Sequence, residues 1–419
     1  MRTRTCVVAG GGPAGMVLGL LLARAGVEVT VLEKHADFLR DFRGDTVHAS
    51  TVRLLDELGL GEQFRALPQS RLRNFELPQP DGAPVMLGDF TRLPPPYDYI
   101  AMVPQWDLLN LLAAAGRAEP TFELKMSTAA VDLLRDGARV RGVRTRTTDG
   151  TEDELGADLV VACDGRGSVL RQRAGLVPRA YPVPFDTWWF KLPRHLAERG
   201  EQPALVPRFG GEEMLLSFPR PDYFQVAYFT RKGMDATLRA EGIERFRQRV
   251  VRLRPDFADR VDVLTSVEDL HMLDVQLNRL PRWHLDGLLL IGDAAHAMSP
   301  AGGVGINLAV QDAVAAATLL AAPLREHRLT SRDLARVHRR RWWPTVVVQQ
   351  AQRVLHRWVF GPVLAGRTPA ALRVGAAVAR RAPQLTRIPA QLIAFGPLPE
   401  HAPGFARRAP AAARPAESR

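Results

Sequence analysis

The stretch from Cys6 to Glu33, CVVAGGGPAGMVLGLLLARAGVEVTVLE, decides the fold. Val7, Val8 and Ala9 form a short apolar run that halts at Gly10-Gly11-Gly12-Pro13-Ala14-Gly15. The spacing of apolar residues predicts a helix from Met16 to Ala25, closed by Gly26. Val27 to Leu32 then reads as a second strand ending on Glu33. Strand, glycine turn, helix and strand in this order are the setting of a dinucleotide-binding fingerprint. Gly10 suits the tight turn, Gly12 the approach of backbone to a pyrophosphate, and Gly15 the packing of helix on strand. Beyond Pro13 and Ala14, the helix N-terminus offers free N–H groups and a positive dipole end to phosphates. Glu33, followed by Lys34, stands about 20 residues beyond the glycines, where an acid accepts hydrogen bonds from a ribose. Glycine turns also occur without ligands. Here both strands, the helix and the terminal acid agree.

Arg2 and Arg4 precede an apolar stretch, as in a secretory leader. Such a leader would not carry Gly-Gly-Gly-Pro or run into a strand ending on Glu33. With 419 residues the chain can bury large cores and is expected to hold two or more domains. Its 46% hydrophobic and 24% charged residues are ordinary for a globular protein. No run of about 20 uncharged apolar residues occurs, so no integral membrane segment is expected. Cys6 and Cys163, the two cysteines, each sit in an apolar strand-like run. That argues against a disulfide framework and for a reducing, cytoplasmic compartment. The formal charge of +11 rests on arginine, since Lys34, Lys125, Lys191 and Lys232 are the four lysines. Such a charge raises nucleic acid or an acidic membrane as partners. No nucleic-acid module or basic, aromatic-interleaved loop accompanies it, and a solvated arginine surface is the expectation.

Further along, Arg43-Gly44-Asp45-Thr46-Val47-His48 precedes an amphipathic helix carrying Val52, Leu54, Leu55 and Leu58. A fixed guanidinium at Arg43 could hold a pyrophosphate or ribose, or be a plain surface charge. The broken, proline-rich segment from Arg71 to Pro96 reads as an excursion with short strands such as Val85-Met86-Leu87. Val103-Pro104-Gln105 then leads into a helix over Leu108 to Ala115. Strands follow, with a hairpin turn at Asp149-Gly150. The buried-strand pattern Ala157 to Cys163 stops on Asp164-Gly165, with Ser168 and Arg171 at a helix start. Between Gly175 and Leu273 the texture changes to aromatic-rich strands, Trp188-Trp189-Phe190 and Phe224 to Phe229, with a charged helix over Ile243 to Arg252. Leu288 to Ile291 is another apolar strand, ending on Gly292-Asp293-Ala294-Ala295-His296. Met298 to Asn307 leads into an alanine-rich helix, Leu308 to Ala321, followed by helices interrupted at Pro344, Pro362, Pro369, Pro383, Pro389 and Pro397.

Three phosphate- or sugar-directed elements thus stand in one chain: GGGPAG, CDGRGSVLR and GDAAHAMSPAGGVGIN. In this order and spacing the sequence resembles the class A flavin monooxygenases, the para-hydroxybenzoate hydroxylase-like family, over about residues 5–325. The resemblance implies an α/β fold: a Rossmann-like FAD-binding domain, an inserted sheet-based substrate domain and C-terminal helices. The FAD-binding domain would comprise 1–72, 104–174 and 275–325, and the substrate domain 73–103 and 175–274. A helical region would cover 326–402 and a disordered tail 403–419, where alternating Ala, Pro and Arg cannot bury a core. By resemblance, Asp164, Gly165 and Arg171 serve both FAD and the nicotinamide donor, and Gly292 and Asp293 hold the ribityl chain. Arg43 and Gln105 match positions that touch the cofactor, and Glu33 matches the ribose acid of FAD, which leaves NADH against NADPH open.

Reduced flavin carries negative charge on its pyrimidine edge. Gly302, Gly303 and Gly305 would bring backbone N–H groups to that edge, and the helix from Ile306 and Asn307 would add its dipole. Pro300 would form a rigid wall beside the ring. A glycine-rich loop merely capping a buried helix is the plainer alternative. The chemistry implied is monooxygenation through a flavin hydroperoxide, in which the protein binds flavin, excludes water and places an organic, aromatic or polyketide-like substrate and O2. It needs no side-chain nucleophile and no metal. His48 is a candidate for proton transfer facing the substrate, whereas His296 reads as structural. Trp188-Trp189-Phe190-Lys191-Leu192-Pro193 echoes the WxWxIP signature of flavin-dependent halogenases, but Phe and Leu replace two of its residues and no lysine lies between Lys34 and Lys125. An oxygen-independent flavin reductase of the same superfamily, and a non-catalytic FAD-binding or arginine-rich interaction protein, are the alternative functions.

Overall fold

The computed structural model describes residues 2–39, 46–77, 85–198 and 204–409. Arg43 lies outside them. Five parallel strands form the central sheet: β1 (Arg2–Ala9), β2 (Val29–Leu32), β3 (Phe122–Lys125), β4 (Glu152–Ala162) and β5 (Leu288–Leu290). Their spatial order is β5-β4-β1-β2-β3. Val7 stands opposite Thr30 on one side and Val160 on the other. Val7 to Ala9 and Leu159 to Ala162 are buried, as parallel strands covered on both faces must be.

Helix α1 (Pro13–Arg24) returns over the sheet after the glycine turn. It starts three residues before the sequence expectation, because Pro13 is preorganised for a first helical position. A Cβ at Gly15 would stand 1.9 Å from the Gly10 carbonyl oxygen, and one at Gly19 would stand 2.6 Å from Val31 Cγ2. The helix therefore lies closer to the strands than any side chain would permit. Helix α2 (Ala49–Glu57) and helix α3 (Gly305–Arg325) complete this layer, with Leu18, Val52, Leu109 and Val314 in one core. Helix α3 is the one described helix long and apolar enough to cross a membrane, and it is mostly buried inside the protein. The opposite face is covered by the antiparallel strands Thr128–Asp136 and Arg139–Thr147, which extend from β4.

The aromatic-rich segment forms a second, five-stranded antiparallel sheet of Arg208–Gly210, Glu213–Pro219, Tyr223–Arg231, Phe185–Pro193 and His271–Leu273. Strand periodicity divides its side chains. Trp188, Phe190 and Tyr228 pack under helix Asp235–Leu253, whereas Phe185, Ala227 and Phe229 face Ala301 and Phe360. That helix begins eight residues before the expected Ile243 and bends at Gly242, whose φ of 78° is left-handed.

Two readings of the C-terminal part are overturned. Pro344 was expected to interrupt a helix, yet it lies buried inside α4 (Ser331–Leu355). A proline costs a helix interior about 3 kcal/mol, and here burial of the α4 face against α3 offsets it. Nor are residues 403–409 a disordered tail. Gly404–Ala406 forms a helical turn, Ala406 is buried, and its carbonyl accepts a 2.9 Å bond from Arg24. Composition alone suggested disorder, but Ala406 joins the core that contains the α1 residues.

Half-buried His338 and buried His356 are held neutral. Burial pulls both down to about 4, aided at His338 by the neighbouring His284, Arg282 and Arg339. Their contribution to stability is complete above the unfolded value of about 6.5 and is lost as pH falls towards 4. The melting temperature should accordingly drop across that interval. A His338→Gln, His356→Gln double variant should show a shallower drop in scanning calorimetry.

Candidate functional site

The C-terminal ends of β1, β4 and β5 bring the three motifs together. Gly10, with φ of 113°, turns the chain so that its N–H meets the Leu32 carbonyl at 2.8 Å. A Cβ there would collide with the Cys163 carbonyl at 2.3 Å. At Gly12 the situation is opposite. A Cβ on Gly12 would have no atom within 4 Å, and no side chain caps α1. Open space at an uncapped helix N-terminus is what a pyrophosphate requires. Gly10 and Gly15 are thus demanded by the protein's own packing, and Gly12 leaves an approach for a ligand.

Glu33 sits beside this turn. Its carboxylate accepts from Gly11 N–H at 3.1 Å and from His35 N–H at 3.0 Å, fastening the turn to the end of β2. Lys34 next to it is exposed. Gln105 opens the helix Gln105–Arg117 directly after Pro104.

The second motif is engaged internally. Asp164 accepts from Ser168 Oγ at 2.5 Å and from Leu170 N–H at 3.1 Å, so it caps the short helix Val169–Arg173. Burial raises the Asp164 pKa against these bonds. Arg171 is buried and donates to the Ala294 carbonyl at 2.9 Å and the Arg166 carbonyl at 2.5 Å. It joins the second motif to the third. Gly165, with φ of 82°, faces open space. Asp293 is about one-third exposed and pairs with Arg166 Nε at 3.0 Å. Arg166 was not singled out from the sequence, although it stands inside the quoted CDGRGSVLR.

In the third motif, Gly302 and Gly303 have φ of 83° and 63°. The Gly303 N–H closes a turn onto the Pro300 carbonyl at 2.9 Å, and its carbonyl accepts from Thr46 Oγ1 at 3.1 Å. The Gly303 N–H is therefore a turn donor in this structure, and does not project freely as expected. Gly305 begins α3, Ile306 follows, and Asn307 Oδ1 accepts from Thr51 Oγ1 at 3.0 Å and from Ser50 Oγ.

His48 lies beside the third motif. It is fully buried at the start of α2, with Nδ1 2.6 Å from the Ile393 carbonyl. Its Nε2 faces Gly303, and burial lowers its pKa. The ring bridges the Gly303 loop and the C-terminal helix Arg387–Phe395. His296 is a structural residue, as expected. It is buried against Trp283 at 4.7 Å between rings and meets Asp312 Oδ2 at 2.6 Å.

Asp312 escaped the sequence reading. Its Oδ2 also accepts from Gly292 N–H at 3.1 Å, and its Oδ1 from Arg341 at 3.0 Å. Burial alone would raise this carboxyl, but His296 and Arg341 hold it below its usual value. A lone acid among alanines in α3 was the available signal. Gln352 of α4 was also missed. Its amide donates to the Ser299 and Ala301 carbonyls, each at 2.9 Å, and so pins the loop before Gly302. His356, where α4 passes into a π-helical turn, meets Ser299 Oγ at 2.9 Å. Burial raises both thiols, Cys6 and Cys163, so neither is an activated nucleophile.

The family described as FAD binding domain matches residues 2–351. The chain belongs to this family of FAD-dependent, para-hydroxybenzoate hydroxylase-like monooxygenases. A 6-methylpretetramide 4-monooxygenase from Streptomyces rimosus is 37% identical over 381 residues, 90% of this chain and 88% of that protein. An anhydrotetracycline monooxygenase from the same organism is 32% identical over 323 residues, 74% of this chain and 60% of that protein. The solved anhydrotetracycline hydroxylase of Streptomyces rimosus superposes with a TM-score of 0.73 at 25% identity, covering 94% of this chain and 76% of that one. A p-nitrophenol 4-monooxygenase from Pseudomonas putida DLL-E4 shares the fold, with a TM-score of 0.76 at 22% identity over 93% and 97% of the two chains. The monooxygenase is thus an FAD-dependent oxidoreductase.

The two kinds of glycine predict different failures. Gly15→Ala should destabilise the monooxygenase by about 1–3 kcal/mol or more through overpacking, seen as a lower melting temperature. Gly12→Val should melt normally yet fail to retain FAD in fluorescence titration.

Proposed function

We propose that the monooxygenase uses NADH or NADPH and O2 to hydroxylate a planar aromatic substrate of the polyketide type. The observation that carries the substrate class is the 37% identity to a 6-methylpretetramide monooxygenase over 90% of the chain. FAD, when bound, supplies the activation of oxygen. Gly12 and the α1 N-terminus would receive its pyrophosphate, Glu33 its ribose, and Asp293 with Arg166 its ribityl chain. The Pro300–Gly303 turn, held by Thr46, His48 and Gln352, would present a rigid wall to the ring.

The second sheet supports a flat, apolar substrate. Trp189 and Phe218 stack at 6.0 Å and are half-buried on the face that meets Ala301. Phe218 also touches the cluster containing Ile393 and Phe395 of the C-terminal helix. The Trp189 Nε1 donor is buried with no protein partner, which suits a hydroxyl or carbonyl on the substrate. Apolar walls on three elements would exclude water from the reacting face.

Purified protein should be yellow, and NAD(P)H oxidation with an aromatic polyketide panel should consume oxygen stoichiometrically. Donor oxidation without oxygen uptake would overturn the proposal in favour of a reductase. Asp293→Ala should weaken FAD binding about ten- to hundredfold, the scale of one charged hydrogen bond. The donor, bound transiently through exposed charges, should show a KM that rises with ionic strength, measured by stopped-flow reduction while FAD stays bound.

A further inference from the structure

On the outer side of the motif segment, Arg179, Tyr181, Arg279, His338, Arg339 and Trp342 line an open pocket of about 480 Å³. Strand Arg179–Tyr181 pairs with Leu277–Arg279 to form one wall, and α4 supplies the other. The Arg279 guanidinium lies between two rings, 5.6 Å from the Tyr181 centroid and 5.3 Å from that of Trp342. Arg179 and Arg353 reach the same Tyr181 ring at 5.6 and 4.9 Å. Three cations therefore surround one phenol, and Arg339 adds another at the rim.

No carboxylate lines this pocket among the described residues. Elsewhere Arg249, Arg260 and Arg341 each meet an acid. Arg279 instead donates to two neutral groups, the Tyr181 hydroxyl at 2.9 Å and Gln349 Oε1 at 2.6 Å. Burial, and then the charges of Arg179 and Arg353, lower its pKa against the pull of Tyr181. Like charges gathered without a counter-ion are unfavourable, and an anion would relieve them. Guanidinium forks match phosphate oxygens, and the partly exposed indole of Trp342 offers a face to a planar base.

We propose that this pocket binds a nucleoside phosphate, with phosphate on Arg179, Arg279 and Arg339 and the base against Trp342. The pocket is coupled to the loop before Gly302. Gln349, which accepts from Arg279, donates to the Asn278 carbonyl at 2.8 Å and approaches the Ala297 carbonyl at 3.4 Å. A ligand there is therefore two side chains from the third motif. The nicotinamide donor is one source of such a ligand, an identification that rests on the proposed function; a free nucleotide is the other.

The FAD-loaded protein is titrated calorimetrically with the redox-inert probes ADP, 2′,5′-ADP and inorganic phosphate. At least one of the two nucleotides should bind, more tightly than phosphate. The exposed-residue variants Arg179→Ala and Arg339→Ala should weaken binding about tenfold or more, the scale of a lost charge-assisted hydrogen bond, with unchanged FAD content. Stopped-flow reduction then separates the sources. Nucleotide that slows reduction by NADH or NADPH identifies the donor, and nucleotide that binds without slowing it identifies a separate ligand. Absence of nucleotide binding, affinity no better than phosphate, or affinity that survives both substitutions overturns the pocket. Nucleotide binding to an enzyme whose flavin neither donor reduces would uphold the pocket and refute the donor reading alone.

Discussion

The carboxylate of Asp312 is the interaction on which the arrangement of the site depends. It is inaccessible to water and is met by Gly292 N–H and His296 from the third motif and by Arg341 from α4. Arg341 in turn donates to the Leu398 carbonyl at 3.1 Å and lies 3.4 Å from Glu400, which also pairs with Arg340. A buried charge is tolerated only when its partners and hydrogen bonds are nearly complete. The turn after β5, helices α3 and α4 and the segment near Glu400 must therefore assemble together or not at all.

From that anchor the positions of the motifs follow. Gly292 is fixed by Asp312, Ala294 is tied to Arg171, and Arg171 belongs to the segment that Asp164 and Ser168 cap. The second and third motifs are thus one mechanical unit at the sheet end. The first motif joins them through β1, whose Ala9 carbonyl accepts from Cys163 N–H at 2.7 Å. Several residues whose types suggest ligand contacts, Asp164 and Arg171 above all, hold this unit together through internal bonds.

The α4 helix plays a comparable part on the other side. Gln349, Gln352 and His356 stand along one face and bond to Asn278, Ala297, Ser299 and Ala301. Unsatisfied amides would be costly in this dry interior, so the loop conformation and the helix position specify each other. Differences among related enzymes in their C-terminal helices would therefore reach the Ser299–Ala301 loop directly.

The sequence by itself determined the parallel sheet, the glycine turn and the order of the three motifs. These are local matters: apolar runs, a φ reserved for glycine, and a helix starting at a turn. His296 reads as structural from its place inside the Gly292-to-His296 motif, and the structure buries it against Trp283 and Asp312. Only the tertiary structure decided that Gly12 alone among the first glycines faces open space, because a clash or its absence depends on residues such as Cys163, far along the chain. It likewise decided that His48 is enclosed by Gly303 and Ile393, that Pro344 stays within a helix, and that residues 403–409 pack. The parts played by Asp312, Arg166 and Gln352 were decided there for the same reason. Each is an ordinary polar residue in its own segment, and its role arises from partners between 16 and 127 positions away that burial brings within hydrogen-bond distance.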